Sequence, residues 1–187
     1  FFSTMNGEKL LLRNTGVQNG LVTFENATEK AGFAKEVYKT FPTWFWDYDN
    51  DGWLDLFVCN YEFERALSWY SAKEALHPSA DKAGKPCIYH NNRDGTFTNV
   101  SAGMDINKTA YAMGANFGDI DNDGFLDFYL ATGNPNYMSL IPNKMFKNLG
   151  GKKFADVTGS SRTGNLQKGH GVAFADLDND GDEDIFD

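Results

Sequence analysis

The sequence predicts an all-β protein, a fragment of a β-propeller with about three four-stranded blades and an acidic loop between strands one and two of each blade. Three observations support this prediction. A nine-residue acidic segment occurs three times, an aromatic–Asn segment alternates with it, and the intervening segments alternate apolar and polar residues with a period of two. The 187 residues suffice for one well-cored domain, and 19 Gly suit short strands joined by tight turns.

The acidic segments keep one pattern, with Asp at positions one, three, five and nine and Gly at position six. In chain order the copies are DYDNDGWLD at 47–55, DIDNDGFLD at 119–127 and DLDNDGDED at 176–184. The aromatic–Asn segments, such as IYHN at 88–91 and MFKN at 145–148, stand between them. A period of this kind is typical of repeat architectures in which each copy forms one supersecondary unit.

Each repeat is predicted to contain four antiparallel strands, the content of one propeller blade. Strand one enters the acidic loop at 43–46, 115–118 and 172–175, and strand two leaves it at 54–59, at 126–132 and from 185 onward. Strand three is the aromatic–Asn segment, and strand four ends in Val-Thr or Val-Ser. The dipeptides Asp94-Gly95 and Gly150-Gly151 are expected in the hairpin turns between these two strands.

The repeat spacing divides the chain into a partial blade at 1–28, a blade at 43–101, a blade at 115–158 and a partial blade at 172–187. The second unit carries an insertion at 60–86, in which residues 64–76 could form a short helix. Closed propellers need roughly four to eight blades, so we expect the rest of the propeller to lie outside this chain.

The acidic loops resemble the start of an EF-hand loop, with carboxylates at alternate positions followed by Gly at position six. Oxygen-only ligands in a flexible loop favour Ca²⁺, and the absence of Cys and His within the loops argues against zinc and copper. A simple turn is the alternative, but a turn does not require four carboxylates that repel one another. We therefore predict about three calcium sites, with a backbone carbonyl at position seven of each. The predicted ligands are Asp47, Asp49, Asp51, Trp53 and Asp55; Asp119, Asp121, Asp123, Phe125 and Asp127; and Asp176, Asp178, Asp180, Asp182 and Asp184.

The acidic loops, with intervening segments similar to LYxNxGxGxFxDVT, resemble the FG-GAP/VCBS repeat superfamily, which includes the calcium-bearing blades of integrin α-subunit propellers. The segment IYHNNRDGTFTNVS is most similar to the cartilage acidic protein/ASPIC-UnbV branch. This resemblance implies a propeller, usually seven-bladed, in a secreted, periplasmic or cell-surface protein. It also implies a role in adhesion or recognition, with a protein or glycan ligand.

Several function classes are disfavoured. The net charge of −9 argues against a nucleic-acid partner, and the short apolar runs argue against membrane insertion. No nucleophile is paired with a base in the sequence, so we do not expect an enzyme. Two alternatives to recognition stay open: a structural subunit of a surface assembly, and the non-catalytic propeller part of a secreted lyase or hydrolase.

Some single residues also carry predictions. Cys59 and Cys87 bracket the insertion, and a disulfide between them is favoured over two free thiols. His90 shares its repeat position with Lys147, which indicates a surface strand position rather than a catalyst, and His77 and His170 are isolated. The sequons at Asn26, Asn99 and Asn107 match glycosylation sites, but the first two occupy the repeat position of Asp156, which gives them a structural explanation.

The insertion is a connection between strands two and three, so it is expected on the face opposite the acidic loops. Its aromatic residues Tyr61, Phe63, Trp69 and Tyr70, together with 134–138, are predicted to form part of a partner-binding surface. The alternative is that these aromatic residues pack the insertion onto its own blade.

Overall fold

The computed structural model describes residues 1–4, 6–33, 38–61, 84–132 and 141–187. These residues contain twelve strands, the 3₁₀ turn Ser101–Gly103 and the helical turn Thr158–Ser161. The strands are β1 (Leu12–Gln18), β2 (Leu21–Asn26), β3 (Thr40–Trp46), β4 (Asp55–Asn60), β5 (Pro86–Asn91), β6 (Phe97–Asn99), β7 (Ala112–Gly118), β8 (Asp127–Thr132), β9 (Lys144–Asn148), β10 (Phe154–Asp156), β11 (Ala173–Ala175) and β12 (Asp184–Phe186).

The strands form four antiparallel sheets, which confirms the predicted fold class of an all-β propeller fragment. β3-β4-β5-β6 and β7-β8-β9-β10 are four-stranded, and β1-β2 and β11-β12 are two-stranded. β3 lies beside β7, and β7 lies beside β11, so the first strands of successive units are neighbours. The sheets do not close into a ring within the described residues. The domain boundaries remain a prediction.

Aromatic side chains fill the space between the two four-stranded sheets. Trp44 stacks on Phe57 with a centroid separation of 3.9 Å, and Phe128 stacks on Phe146 at 4.7 Å. Trp46 joins the sheets because its ring lies 5.9 Å from that of Phe128. Trp46, Phe57, Phe128 and Phe146 belong to one buried cluster, and the partly buried Trp44 packs against it, so β3, β4, β8 and β9 share a core.

Gly114 allows β7 to approach the chain that precedes β11. A Cβ atom at this position would lie 2.7 Å from the carbonyl carbon of His170, which is closer than real Cβ contacts allow. The backbone of His170 could not move away without disturbing the neighbouring sheet. Glycine at this strand position is therefore explained by the close approach of two backbones.

The end of strand four is built in the same way in three units. A side-chain oxygen at the last strand residue accepts the backbone N–H two residues later, and the hydroxyl of that later residue accepts an N–H from strand three. The turns are Asn26–Thr28 (3.0 Å), Asn99–Ser101 (3.1 Å) and Asp156–Thr158 (3.1 Å), and the strand-three donors are Leu11 (2.9 Å), Ile88 (2.9 Å) and Met145 (3.0 Å). Asn and Asp thus have the same role, which supports the structural explanation of two sequons.

The predicted disulfide is wrong. Cys59 and Cys87 form no disulfide, and Cys59 is buried while Cys87 is partly buried. Cys87 pairs in register with Val58, so its side chain shares a sheet face with Val58. Cys59 follows Val58 directly and therefore points to the opposite face, where it packs with Phe57. The two sulfur atoms lie on different sides of the sheet, and burial raises the pKa of the Cys59 thiol to about 12.

Tyr61 is buried, so its predicted role at a partner surface is not supported. Its ring lies 5.0 Å from Phe41 and 5.9 Å from Tyr111, in a small apolar cluster with Ile141. The other residues of the predicted partner surface, the predicted helix at 64–76 and His77 lie outside the described residues. In the parts of the chain that the structure describes, no helix has the length and apolar character needed to cross a membrane.

Candidate metal centre

The three acidic loops share one backbone conformation. Position four is a left-handed Asn in each loop, with φ of 57° at Asn50, 55° at Asn122 and 61° at Asn179. Position six is a left-handed glycine, with φ of 84°, 87° and 96° in chain order. Asn tolerates this region better than most residues, and Gly enters it freely. The two left-handed residues fold each loop back on itself and gather its carboxylates.

Backbone N–H groups fix the carboxylates at positions one and five. Both oxygens of the position-one carboxylate accept N–H groups, from positions five and six, and the position-five carboxylate accepts the N–H of position seven. The distances are 3.0, 2.9 and 2.8 Å in the first loop, 3.1, 2.9 and 3.0 Å in the second, and 3.1, 3.1 and 3.2 Å in the third. These side chains are therefore held in place before any ion arrives.

Each loop brings three predicted ligands together, so that one oxygen from each lies within 4.8 Å of the others. The groups are Asp47, Asp49 and Asp51; Asp119, Asp121 and Asp127; and Asp176, Asp178 and Asp180. The other predicted ligands, including the carbonyls of Trp53, Phe125 and Asp182, occupy the positions expected from the repeat. The full ligand set remains a prediction.

The position-nine carboxylates are buried in the first two loops. Asp127 has no exposed surface and accepts the N–H groups of Ile120 (3.0 Å) and Asn148 (2.7 Å). Burial raises the pKa of Asp127 to about 6 and also raises the pKa of Asp55. Asp184 in the third loop is half-buried and accepts the N–H of Leu177 at 3.1 Å. A buried carboxylate beside other carboxylates is unfavourable unless a cation neutralises it.

Basic side chains lie against the first two loops, which the sequence analysis did not predict. The Arg93 guanidinium is 2.6 Å from Asp51, and this hydrogen bond lowers the pKa of Asp51. Lys147 contacts Asp121, and His90 approaches Asp49 and Asp55. The strand-three position of His90 and Lys147 is therefore not a simple surface position.

The strand register explains the placement of these two residues. Leu56 pairs with Tyr89, so the adjacent His90 lies across from Asp55. The pairing of Phe128 with Phe146 places Lys147 across from Asp127 in the same way. The shared position of His90 and Lys147 in the aromatic–Asn segment is the sequence signal for this contact. Using it requires the residue-by-residue pairing of strands two and three, which the structure supplies.

Hydrogen bonds connect neighbouring loops along one edge of the sheets. Asn50 at position four of the first loop donates to the carbonyl of Gly124 in the second loop at 2.8 Å. Asn122 donates in the same way to Gly181 in the third loop at 3.2 Å. In addition, Asn148 of β9 donates to the carbonyl of Tyr48 in the first loop at 2.8 Å. The three candidate sites thus form a connected row.

The comparison with protein families agrees with this geometry. The family model described as FG-GAP-like repeat matches residues 47–130, a segment that begins at the first acidic loop, contains the second and ends in β8. A search among curated proteins gives no match. The narrower resemblance to the ASPIC-UnbV branch remains a prediction. Residues 47–130 of this chain thus carry an FG-GAP-like repeat.

Proposed function

We propose that each acidic loop binds one calcium ion, and that the chain belongs to a calcium-stabilised extracellular or cell-surface propeller that recognises a protein or glycan ligand. The observation that carries this proposal is the threefold occurrence of one preorganised, oxygen-rich loop along a single edge of the sheets. A turn of purely structural purpose has no need to bring three carboxylates within 4.8 Å in every copy.

The donor set fits calcium. Carboxylate oxygens from positions one, three, five and nine, with a carbonyl at position seven, would supply the hard ligands that Ca²⁺ prefers. When bound, the ion supplies positive charge that offsets carboxylate repulsion and the burial of Asp55 and Asp127. Because these two residues begin β4 and β8, the ion would hold strand two against the loop that precedes it. We assign the ion a structural role and propose no catalytic activity.

An extracellular location fits the family and the chemistry. FG-GAP-like repeats are typical of extracellular recognition modules. Calcium sites of extracellular modules need Kd values of only roughly 10⁻⁴–10⁻³ M, because calcium is abundant there. Loops as exposed as the third one suit that affinity range. A periplasmic location is compatible with the same reasoning.

A structural subunit of a surface assembly is the second candidate, and the β1-β2 hairpin favours it. Val17 and Val22 pair across the hairpin and are 68% and 58% exposed, and Phe24 on the same face is 57% exposed. The equivalent strand β6 is covered, because the N–H of Phe97 donates to the carbonyl of Ala31 at 3.1 Å. A segment from another blade or subunit, equivalent to the one around Ala31, would cover Phe24 in the same way. A non-catalytic role beside a secreted lyase or hydrolase domain is a third possibility.

Ligand binding measured with and without calcium tests the proposal. The labelled chain is applied to a glycan array and to immobilised extracellular-matrix proteins, in millimolar calcium and in excess chelator. Recognition predicts retention on a defined glycan or protein in calcium and its loss in chelator. A chain that retains neither class of ligand but forms large assemblies in sedimentation would favour the structural subunit.

A further inference from the structure

The first acidic loop differs from the second because a histidine faces it. His90 lies on β5, across from Asp55 on β4. Its Nδ1 atom is 3.2 Å from Oδ1 of Asp55 and 3.5 Å from Oδ2 of Asp49. One donor atom from each of the three residues lies within 4.8 Å of the other two. The ring of Tyr48, with its centroid 6.2 Å away, packs edge-to-face against the imidazole.

Three polar atoms at this point have no hydrogen-bond partner within the described residues. They are Nδ1 of His90, Oδ1 of Asp49 and Oδ2 of Asp55, and each is shielded from solvent. The side chain of Asp55 has no exposed surface at all. Although Nδ1 is close to carboxylate oxygens, the contact does not have hydrogen-bond geometry. Buried polar atoms without partners are unfavourable, and a cation coordinated by one donor atom of each of these three residues would offset that cost.

The second loop does not offer this arrangement. Lys147 occupies the position of His90, and an ammonium group has no lone pair with which to coordinate a metal ion. Both oxygens of Asp127 accept backbone N–H groups in good geometry, whereas Oδ2 of Asp55 has no partner in full hydrogen-bond geometry, although the N–H of Tyr48 lies near the carboxylate. The nitrogen donor is therefore a property of the first loop and not of the repeat.

The donor set indicates the class of ion. A neutral imidazole is a ligand for zinc, copper, nickel and iron, whereas calcium prefers oxygen ligands. Arg93 binds Asp51 and so neutralises one carboxylate of the loop. We propose that the first loop, with His90, Asp49 and Asp55 as ligands, binds a divalent first-row transition metal ion such as Zn²⁺ in preference to Ca²⁺. This inference rests on the proposed function in one respect, namely that the loop accepts a divalent cation. Calcium occupies the first loop when no transition metal ion is present, and such an ion displaces it when available.

Zinc titration of the full chain tests the assignment. Isothermal titration with Zn²⁺ is carried out in calcium-containing buffer on the unaltered chain, on His90→Gln and on His170→Gln. The control residue His170 is exposed and is absent from every candidate group of metal ligands in the described residues. His90→Gln should weaken the tightest zinc site at least about tenfold, the lower end of the effect for loss of even an outer-shell partner. His170→Gln should leave it unchanged.

A second measurement does not depend on the stability of a variant. The chain has only 3 His, so their imidazole NMR signals can be assigned individually. One equivalent of Zn²⁺ should shift the His90 signal of the unaltered chain before the other two. Equal zinc affinity in folded His90→Gln, or a first shift at another histidine, would overturn the inference.

Calcium titrations of the same proteins separate this inference from the proposed function. If calcium still binds but the zinc affinity does not change in His90→Gln, only the transition-metal site is rejected. Zinc binding through His90 without calcium binding at any loop would reject the calcium proposal and retain this one.

Discussion

The hydrogen bond from Asn50 to the second acidic loop can be removed with little change to the backbone. Asn50→Gly keeps the left-handed conformation, with φ of 57°, and deletes the donor to the carbonyl of Gly124 at 2.8 Å. A hydrogen bond of this kind contributes about 0.5–1.5 kcal/mol net. A domain of this size loses roughly 2–4 °C of melting temperature per kcal/mol, so the bond corresponds to about 1–6 °C.

Asn179→Gly is the matched control. Asn179 occupies position four of the third loop with φ of 61°, and no hydrogen bond from its side chain is found within the described residues. The Asn179→Gly variant loses the same side chain as Asn50→Gly and gains the same backbone freedom in the unfolded state. Thermal unfolding followed by circular dichroism in saturating calcium should show Asn50→Gly melting about 1–6 °C below Asn179→Gly. Equal melting temperatures for the two variants would refute a stabilising link between the loops.

Three further predictions concern the loops and the thiols. In urea titrations, Gly151→Ala should lower the free energy of unfolding by about 1–3 kcal/mol more than Gly150→Ala. Both glycines have positive φ, but a Cβ atom would meet the backbone of Asp49 in the first acidic loop only at Gly151. Asp121→Ala should bind about one calcium ion fewer in calorimetry and melt at a lower temperature, and a stably folded variant that had instead lost a chemical activity would contradict the structural role. Maleimide should label Cys87 before Cys59 in the native chain, and an intact mass lower by two hydrogens would instead indicate a disulfide.

The repeat made most of the fold predictable. Once the acidic and aromatic–Asn segments had been aligned, period-two alternation placed strands one to four, and the glycine dipeptides marked hairpins now seen at Gly95, Gly150 and Gly151. The carboxylates at positions one and five were also predictable as a pair, since the left-handed residues at positions four and six bring them together. These features are local, and local sequence determines them.

Features that depend on pairing between distant segments could not be predicted in this way. Cys59 and Cys87 would share a sheet face if the pairing of β4 with β5 were shifted by one residue. Their position beside the insertion does not reveal that pairing. The approach of His90 to the first loop depends on the same register. The bond from Asn50 to Gly124 requires two units to be packed side by side, and no pattern within one repeat encodes it.

The melting temperature of the chain in saturating calcium, compared with that in excess chelator, tests the central claim most directly. Calcium that binds the folded chain and not the unfolded one adds about 2.7 kcal/mol per site at a free concentration of 100 Kd. Three such loops together add about 8 kcal/mol, which predicts a melting temperature lower by about 16–32 °C in chelator, with calcium restoring the original value. An identical melting temperature in calcium and in chelator would contradict the assignment of the acidic loops as structural calcium sites.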